Sequence, residues 1–162
     1  LSGCRQAVED YRASHAVGGR RTARNEMMFA RAGTAYVYFT YGMHFCMNVV
    51  CGEVGEPTAV LLRALEPLAG LEFMRAARAT PSRPRPADTD LCSGPGKLCR
   101  ALGIGRGENG TDLVQGGPMH IETGSRERRL ANTARIGLSN AGMWERRLLR
   151  WYAAGSPHVS RP

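Results

Sequence analysis

Between residues 34 and 64 the hydrophobic positions fall in short runs broken by turn residues. Thr34-Ala35-Tyr36-Val37-Tyr38-Phe39-Thr40-Tyr41 is rich in aromatic and β-branched side chains and predicts a strand. Gly42 marks a turn, and Phe45-Cys46-Met47-Asn48-Val49-Val50-Cys51 predicts the hairpin partner. After a Gly52–Pro57 turn, Ala59-Val60-Leu61-Leu62-Arg63-Ala64 predicts a third short strand ending in a charge. Pro67 then opens a helical pattern, with Leu68, Leu71, Phe73, Met74 and Ala77 roughly on one face. Residues 80–90 hold three Pro and two Arg and read as a linker or mobile surface loop. Ser93 is the expected N-cap of a short helix through Leu102, with Pro95 in its first turn. Residues 103–117 form a Gly-rich surface loop. Met119–Thr123 and Arg135–Leu138 predict strands, 141–147 a short helix or turn, and 148–153 a final strand. Residues 1–33 are polar and basic and read as a loop with a short helix, outside the core. The pattern predicts one α+β domain over residues 1–162: a mostly antiparallel curved sheet with a few surrounding helices.

Composition narrows the partner. The chain has 162 residues and a formal charge of +8, and Lys97 is its single lysine among 22 basic residues. Residues 1–80 carry +2 and the rest +6. Such an excess points to an anionic partner such as nucleic acid or a membrane surface, although a GC-rich coding sequence would also favour arginine. No apolar run reaches the roughly 18 residues of a membrane span, so no spanning segment is expected. The start, Leu1-Ser2-Gly3-Cys4-Arg5, has neither an initiator Met nor a signal pattern, and the chain is expected to be trimmed or incomplete. Five cysteines at 4, 46, 51, 92 and 99 form no CxxC pair. Four of the five lie among apolar neighbours and read as small hydrophobes in a reducing compartment, with no zinc or other metal site.

Several motifs fail on context. Gly105-Arg-Gly-Glu-Asn-Gly110 matches GxGxxG, but a helix precedes it and none follows. Ser93-Gly94-Pro95-Gly96-Lys97 resembles the end of a phosphate loop without its first Gly or a Ser/Thr after the lysine; a helix start beside a cation still suits one backbone phosphate. The histidines do not cluster with metal ligands, and no GxSxG nucleophile is present. The informative feature is the aromatic stripe. Tyr36 and Tyr38 share one strand face, and Tyr41 sits at the strand end beside Gly42, followed by Met43 and His44. With Arg20, Arg21 and Arg24 nearby, this describes an aromatic platform in a basic setting, suited to stacking or unstacking bases.

These residues carry a resemblance. Gly18-Gly19-Arg20-Arg21-Thr22-Ala23-Arg24-Asn25, the stretch Gly33 to Asn48, Val60 to Pro67, Leu91 to Cys99 and Gly155-Ser156-Pro157 closely resemble the alkyladenine DNA glycosylase family (3-methyladenine DNA glycosylase, methylpurine type). The resemblance implies a DNA repair enzyme of base excision repair. Such an enzyme flips an alkylated or deaminated purine out of duplex DNA and hydrolyses its N-glycosidic bond, as a monomer, without a cofactor and with damaged duplex DNA, not a membrane, as its partner. A nuclear location is implied in a eukaryote and a cytoplasmic, nucleoid one in a bacterium. Residue by residue, it implies that Tyr41 enters the minor groove with Met43 and His44 beside it. His15, Tyr38 and Asn48 would form the base pocket, and Arg63 would help hold the catalytic water. Arg20, Thr22, Arg24, Ser93 and Lys97 would lie near the DNA backbone. The family's Glu-x-Glu-Ala-Tyr stretch, whose second Glu is the general base, is expected at or before Leu1 and does not occur in this sequence; Glu9 and Asp10 lie too close to His15 to replace it. Two readings follow: an N-terminally incomplete glycosylase, or a catalytically inactive relative that binds damaged DNA.

Overall fold

Alternation along the Tyr-rich segment produces the predicted hairpin. In the computed structural model, which describes residues 15–124, 129–137 and 142–160, β1 (Ala35–Thr40) pairs antiparallel with β2 (His44–Val50), and β2 with β3 (Ala59–Leu61). Tyr38 faces Cys46 and Tyr36 faces Asn48 across the first ladder. Residues of one parity, among them Ala35, Val37 and Met47, pack on α3 (Pro95–Leu102) and on α2 (Asp88–Leu91) through Leu91, Leu98 and Cys99. Tyr36 and Val50, of the other parity, bury against Ala16, Met28 and Phe29. Both faces of the sheet are therefore covered, and residues 15–29 contribute to the core rather than lying outside it. The 3-10 turn Glu26–Phe29 supplies Met28 and Phe29, two apolar side chains inside a stretch whose overall polarity conceals them.

The first helix is shorter than its apolar pattern. It begins at Leu71, not Pro67, because Gly70 takes a left-handed φ of 70° that a helix cannot contain; α1 runs Leu71–Arg78. Leu71 and Met74 pack on the core, while Leu68 and Phe73 stay exposed. Helix α3 has Gly94, not Ser93, at its N-cap; the Ser93 hydroxyl instead donates to an Asp90 carboxylate oxygen at 3.0 Å. Pro95 opens the helix as expected.

The two loops are anchored. In 80–90, Pro86 is buried and Asp88–Asp90 belong to α2; Asp90 pairs with Arg83 and Lys97. In 103–117, Ile104 and Leu113 are buried. Gly110 N–H donates to the Ala35 carbonyl, Ala35 N–H to the Thr111 carbonyl and Val37 N–H to Asn109 Oδ1, so this loop covers the outer edge of β1. Residues 119–123 form no strand. Ile121 makes a single backbone bond to Leu113, with no ladder to stabilise its alternating pattern. The strand expected at 135–138 lies earlier: β4 (Leu130–Thr133) pairs with β5 (Arg150–Ala153), as Thr133 and Asn132 find register partners in Arg150 and Trp151. Leu138 lies outside the described residues. Residues 142–145 form a short 3-10 turn. Among the described residues, two antiparallel sheets and three helices make an α+β arrangement.

Candidate functional site

The site grows from β1. A strand turns alternate residues to one face, so Tyr36 and Tyr38 stack with ring centroids 5.3 Å apart. The His15 ring meets Tyr38 edge-on at 4.4 Å, and its Nδ1 shares a 2.8 Å hydrogen bond with the Tyr36 hydroxyl. His15 keeps an open outer surface, yet its ring is tucked against both tyrosines. That desolvation, together with the charge of Arg24, lowers its pKa and keeps the imidazole neutral at pH 7. The Tyr36 phenol is pushed up to about 12 by burial, partly offset by Arg24, and burial likewise raises the Tyr38 phenol. The three rings thus form an uncharged aromatic corner. Asn48, buried on the neighbouring strand, donates its amide to the Tyr36 carbonyl at 3.1 Å, which fixes the side chain beneath that corner.

Arg63 follows β3 and lies half-buried within electrostatic reach of Tyr38, Cys46 and Arg150. Burial is the main cause of its lowered pKa, with Arg150 adding to it and Cys46 and Tyr38 opposing. Arg150, buried at the start of β5, donates to the Thr133 hydroxyl at 3.0 Å and lies over the Tyr152 ring. A guanidinium so placed can orient a water or an anion near the aromatic corner.

At the far end of β1 the hairpin turns through Tyr41-Gly42-Met43. Met43 N–H donates to the Thr40 carbonyl at 3.1 Å. Both central residues have positive φ, 51° at Tyr41 and 65° at Gly42, as a tight hairpin of this hand requires. Glycine adopts that conformation freely. Tyrosine does not, and among the described residues Tyr41 is the one non-glycine with positive φ. Its side chain is 86% exposed and Met43 is 68% exposed. A large ring is thus held outward at a cost in backbone strain. His44 is exposed next to them, and Gly96 at the start of α3 packs so close that a Cβ there would sit 3.0 Å from the His44 ring.

The basic residues divide. Arg20 is exposed. Thr22 is held inward: its N–H and hydroxyl both donate to Asn25 Oδ1. Asn25, fully buried, uses its amide N–H groups on the His15 and Arg20 carbonyls. It is the hub that closes the 15–25 loop and sets His15 against the tyrosines. The sequence reading missed this role, although an Asn between basic residues and an apolar turn was its signal. Arg24 lies over the Tyr38 ring, 5.7 Å from the centroid, and donates to the Phe39 carbonyl at 3.1 Å. Arg21 pairs with Glu26. Lys97 donates to Asp90 and to the Ser93 hydroxyl. With His44, Arg78, Gly94, Gly96 and Arg100 it lines a cleft of about 280 Å³ at the start of α3. The structure therefore brings His15, Tyr38, Asn48 and Arg63 together on one side of the sheet. Tyr41, Met43 and His44 stand at its tip, with the α3 cleft next to His44.

The chain is similar to known proteins over most of its length. The family model for methylpurine-DNA glycosylase matches residues 6–157. The chain is 46% identical over 155 residues to a Homo sapiens protein named DNA-3-methyladenine glycosylase, covering 91% of this chain and 51% of that protein. It is 46% identical over 156 residues to a putative 3-methyladenine DNA glycosylase of Burkholderia lata (93% of this chain, 70% of that protein) and 43% identical over 159 residues to one of Bacillus cereus (94% and 77%). The chain spans about half the length of the mammalian relatives it matches. No helix among the described residues is long and apolar enough to cross a membrane. An aromatic corner under a strained, outward-held tyrosine, in a sequence matched over nearly its whole length, places the chain in the methylpurine-DNA glycosylase family.

Proposed function

We propose that this chain recognises alkylated or deaminated purines (3-methyladenine, 7-methylguanine or hypoxanthine) in duplex DNA and takes part in hydrolysing their N-glycosidic bond. The observation that carries this reading is the hairpin tip. Tyr41 follows Tyr38 by three residues, about 10 Å along an extended chain. That separation suits a wedge that fills the gap in the stack while the displaced base enters the aromatic corner. Unstacking costs a few kcal/mol, and a ring in the gap offsets part of it. Tyr38 and His15 would flank the base, and Asn48 would crowd the exocyclic amine of normal guanine. Neutral His15 would donate to the departing ring, and Arg63 would orient the water. In the hydrolysis the water oxygen bonds to C1′ and gives up a proton to solvent as the C1′–N bond breaks, and the glycosidic electron pair leaves with the purine, which if uncharged takes the proton His15 donates. Arg20 and the α3 cleft would meet the backbone phosphates, with Met43 and His44 bordering the groove. The reaction needs no cofactor. The chain would act as a monomer on DNA, in the nucleus of a eukaryote or at the nucleoid of a bacterium.

Lesion binding without hydrolysis is the alternative, since the aromatic corner and the outward Tyr41 serve recognition on their own. A duplex containing a single inosine separates the two. Release of hypoxanthine by this chain establishes hydrolysis. Tight binding with no release assigns it to lesion binding. Equal affinity for damaged and undamaged duplex overturns both.

A further inference from the structure

The two nitrogens of the His15 ring stand in unlike surroundings. Nδ1 lies 2.8 Å from the Tyr36 hydroxyl. Nε2 has no hydrogen-bond partner among the described residues, and His15 as a whole stays exposed. Tyr36 is only 1% exposed and stacks on Tyr38, and among the described residues its hydroxyl has His15 as its one partner. Burial holds that phenol near 12, so it is protonated at pH 7 and donates. A neutral imidazole that accepts at Nδ1 carries its own proton at Nε2. The backbone is fixed as well, since Asn25 Nδ2 donates to the His15 carbonyl at 2.7 Å.

We infer that Tyr36 is a positioning residue that fixes His15 as an Nε2–H donor on the open side of the corner, where it meets an acceptor atom on the edge of a bound purine. This rests on the reading of that corner as the base pocket and adds how its donor is set. A ring free to flip or to change tautomer would show the base a lone pair or a carbon edge for part of the time. Either change would leave the buried Tyr36 hydroxyl facing a C–H or another donor, with its own hydrogen bond lost. The fixed N–H suits a purine that offers a carbonyl oxygen or a ring-nitrogen lone pair, whether that purine is neutral or cationic.

Nitrogen-15 spectra of the intact chain, labelled in its histidines, read the tautomer directly, with His15 identified by the signals lost in His15→Gln. At pH 7 Nε2 is expected in the protonated range of a neutral ring and Nδ1 in the unprotonated range. Tyr36→Phe keeps the stacked ring and removes the hydroxyl. It is expected to draw the two signals together as the second tautomer appears. It should also lower affinity for a duplex with one 2′-fluoroinosine about three- to ten-fold, with affinity for a tetrahydrofuran abasic duplex unchanged. A proton on Nδ1 in the unaltered chain overturns the proposal, as do ring signals that Tyr36→Phe leaves in place. Inosine and abasic affinities that fall together would make Tyr36 a packing residue only, and also overturn it. If the unaltered chain binds the inosine duplex no better than undamaged DNA, the base-pocket reading fails and the donor role falls with it, while the ring signals decide separately whether Tyr36 sets the tautomer.

Discussion

Tyr41 shows how one residue can be kept against its own preference. A left-handed backbone costs a bulky side chain about 1–2 kcal/mol, and its ring buries almost nothing in return. Tyr41→Gly is therefore expected to raise stability by up to about 1 kcal/mol, seen as a higher denaturation midpoint, while weakening lesion-duplex affinity. A variant that loses stability, or that binds lesions unchanged, would contradict the wedge assignment. Asn25 presents the opposite case, with no strain and four hydrogen bonds around one buried amide. Its position was visible in the sequence and its role was not. A hub that gathers two carbonyls and a threonine depends on how the loop closes, and residue type alone does not report closure.

Regular elements were legible where a pattern had a partner. The β1–β2 hairpin reads directly from alternation and Gly42, since each strand supplies the other's register. The Met119–Thr123 pattern alternates just as well but meets no ladder, and it stays irregular. Ser93 has the side chain of a helix cap. It lies one residue before the Gly94 N-cap, however, and its hydroxyl donates to the Asp90 carboxylate. That carboxylate also binds Lys97 and Arg83, with Arg78 at 3.9 Å, and so ties α1, α2, α3 and the proline-rich loop together. Burial alone would raise its pKa. The Lys97 and Ser93 hydrogen bonds and the Lys97 and Arg83 charges outweigh burial and hold it below 3.8. A depressed folded-state pKa contributes stability that is present above the unfolded value and lost as pH falls through the folded one. Asp90→Asn should thus cost about 2 kcal/mol at pH 7, and the penalty should shrink on acidification below about pH 4. A pH-independent penalty in chemical denaturation would show that the charge is not what matters.

At the scale of the molecule, the net +8 is less available than its count suggests. Arg21, Arg31, Arg75, Arg83 and Lys97 are each paired with a carboxylate. The count predicted an anionic partner but could not show which arginines face it, because pairing is a property of the folded surface. Under the proposed function Arg20, exposed in the 15–25 loop, would be a phosphate contact. Arg20→Gln should reduce the slope of log affinity against log salt by about 0.9. An unchanged slope would place DNA elsewhere on the surface. Both faces of the main sheet are covered from segments far apart in sequence, and this too was hidden from local pattern. Phe29 and Leu98 give no sign, taken alone, of lying on opposite sides of one strand pair.

The Gly-rich stretch along β1 acts as a hem. With the Ala35 backbone already bonded to Gly110 and Thr111, a neighbouring molecule has no free ribbon to stitch onto at that margin. The seal is made of main chain and one asparagine, so it depends on the stretch keeping its length more than on side-chain bulk. Insertions there should show first as turbidity that grows with protein concentration, before any drop in melting temperature.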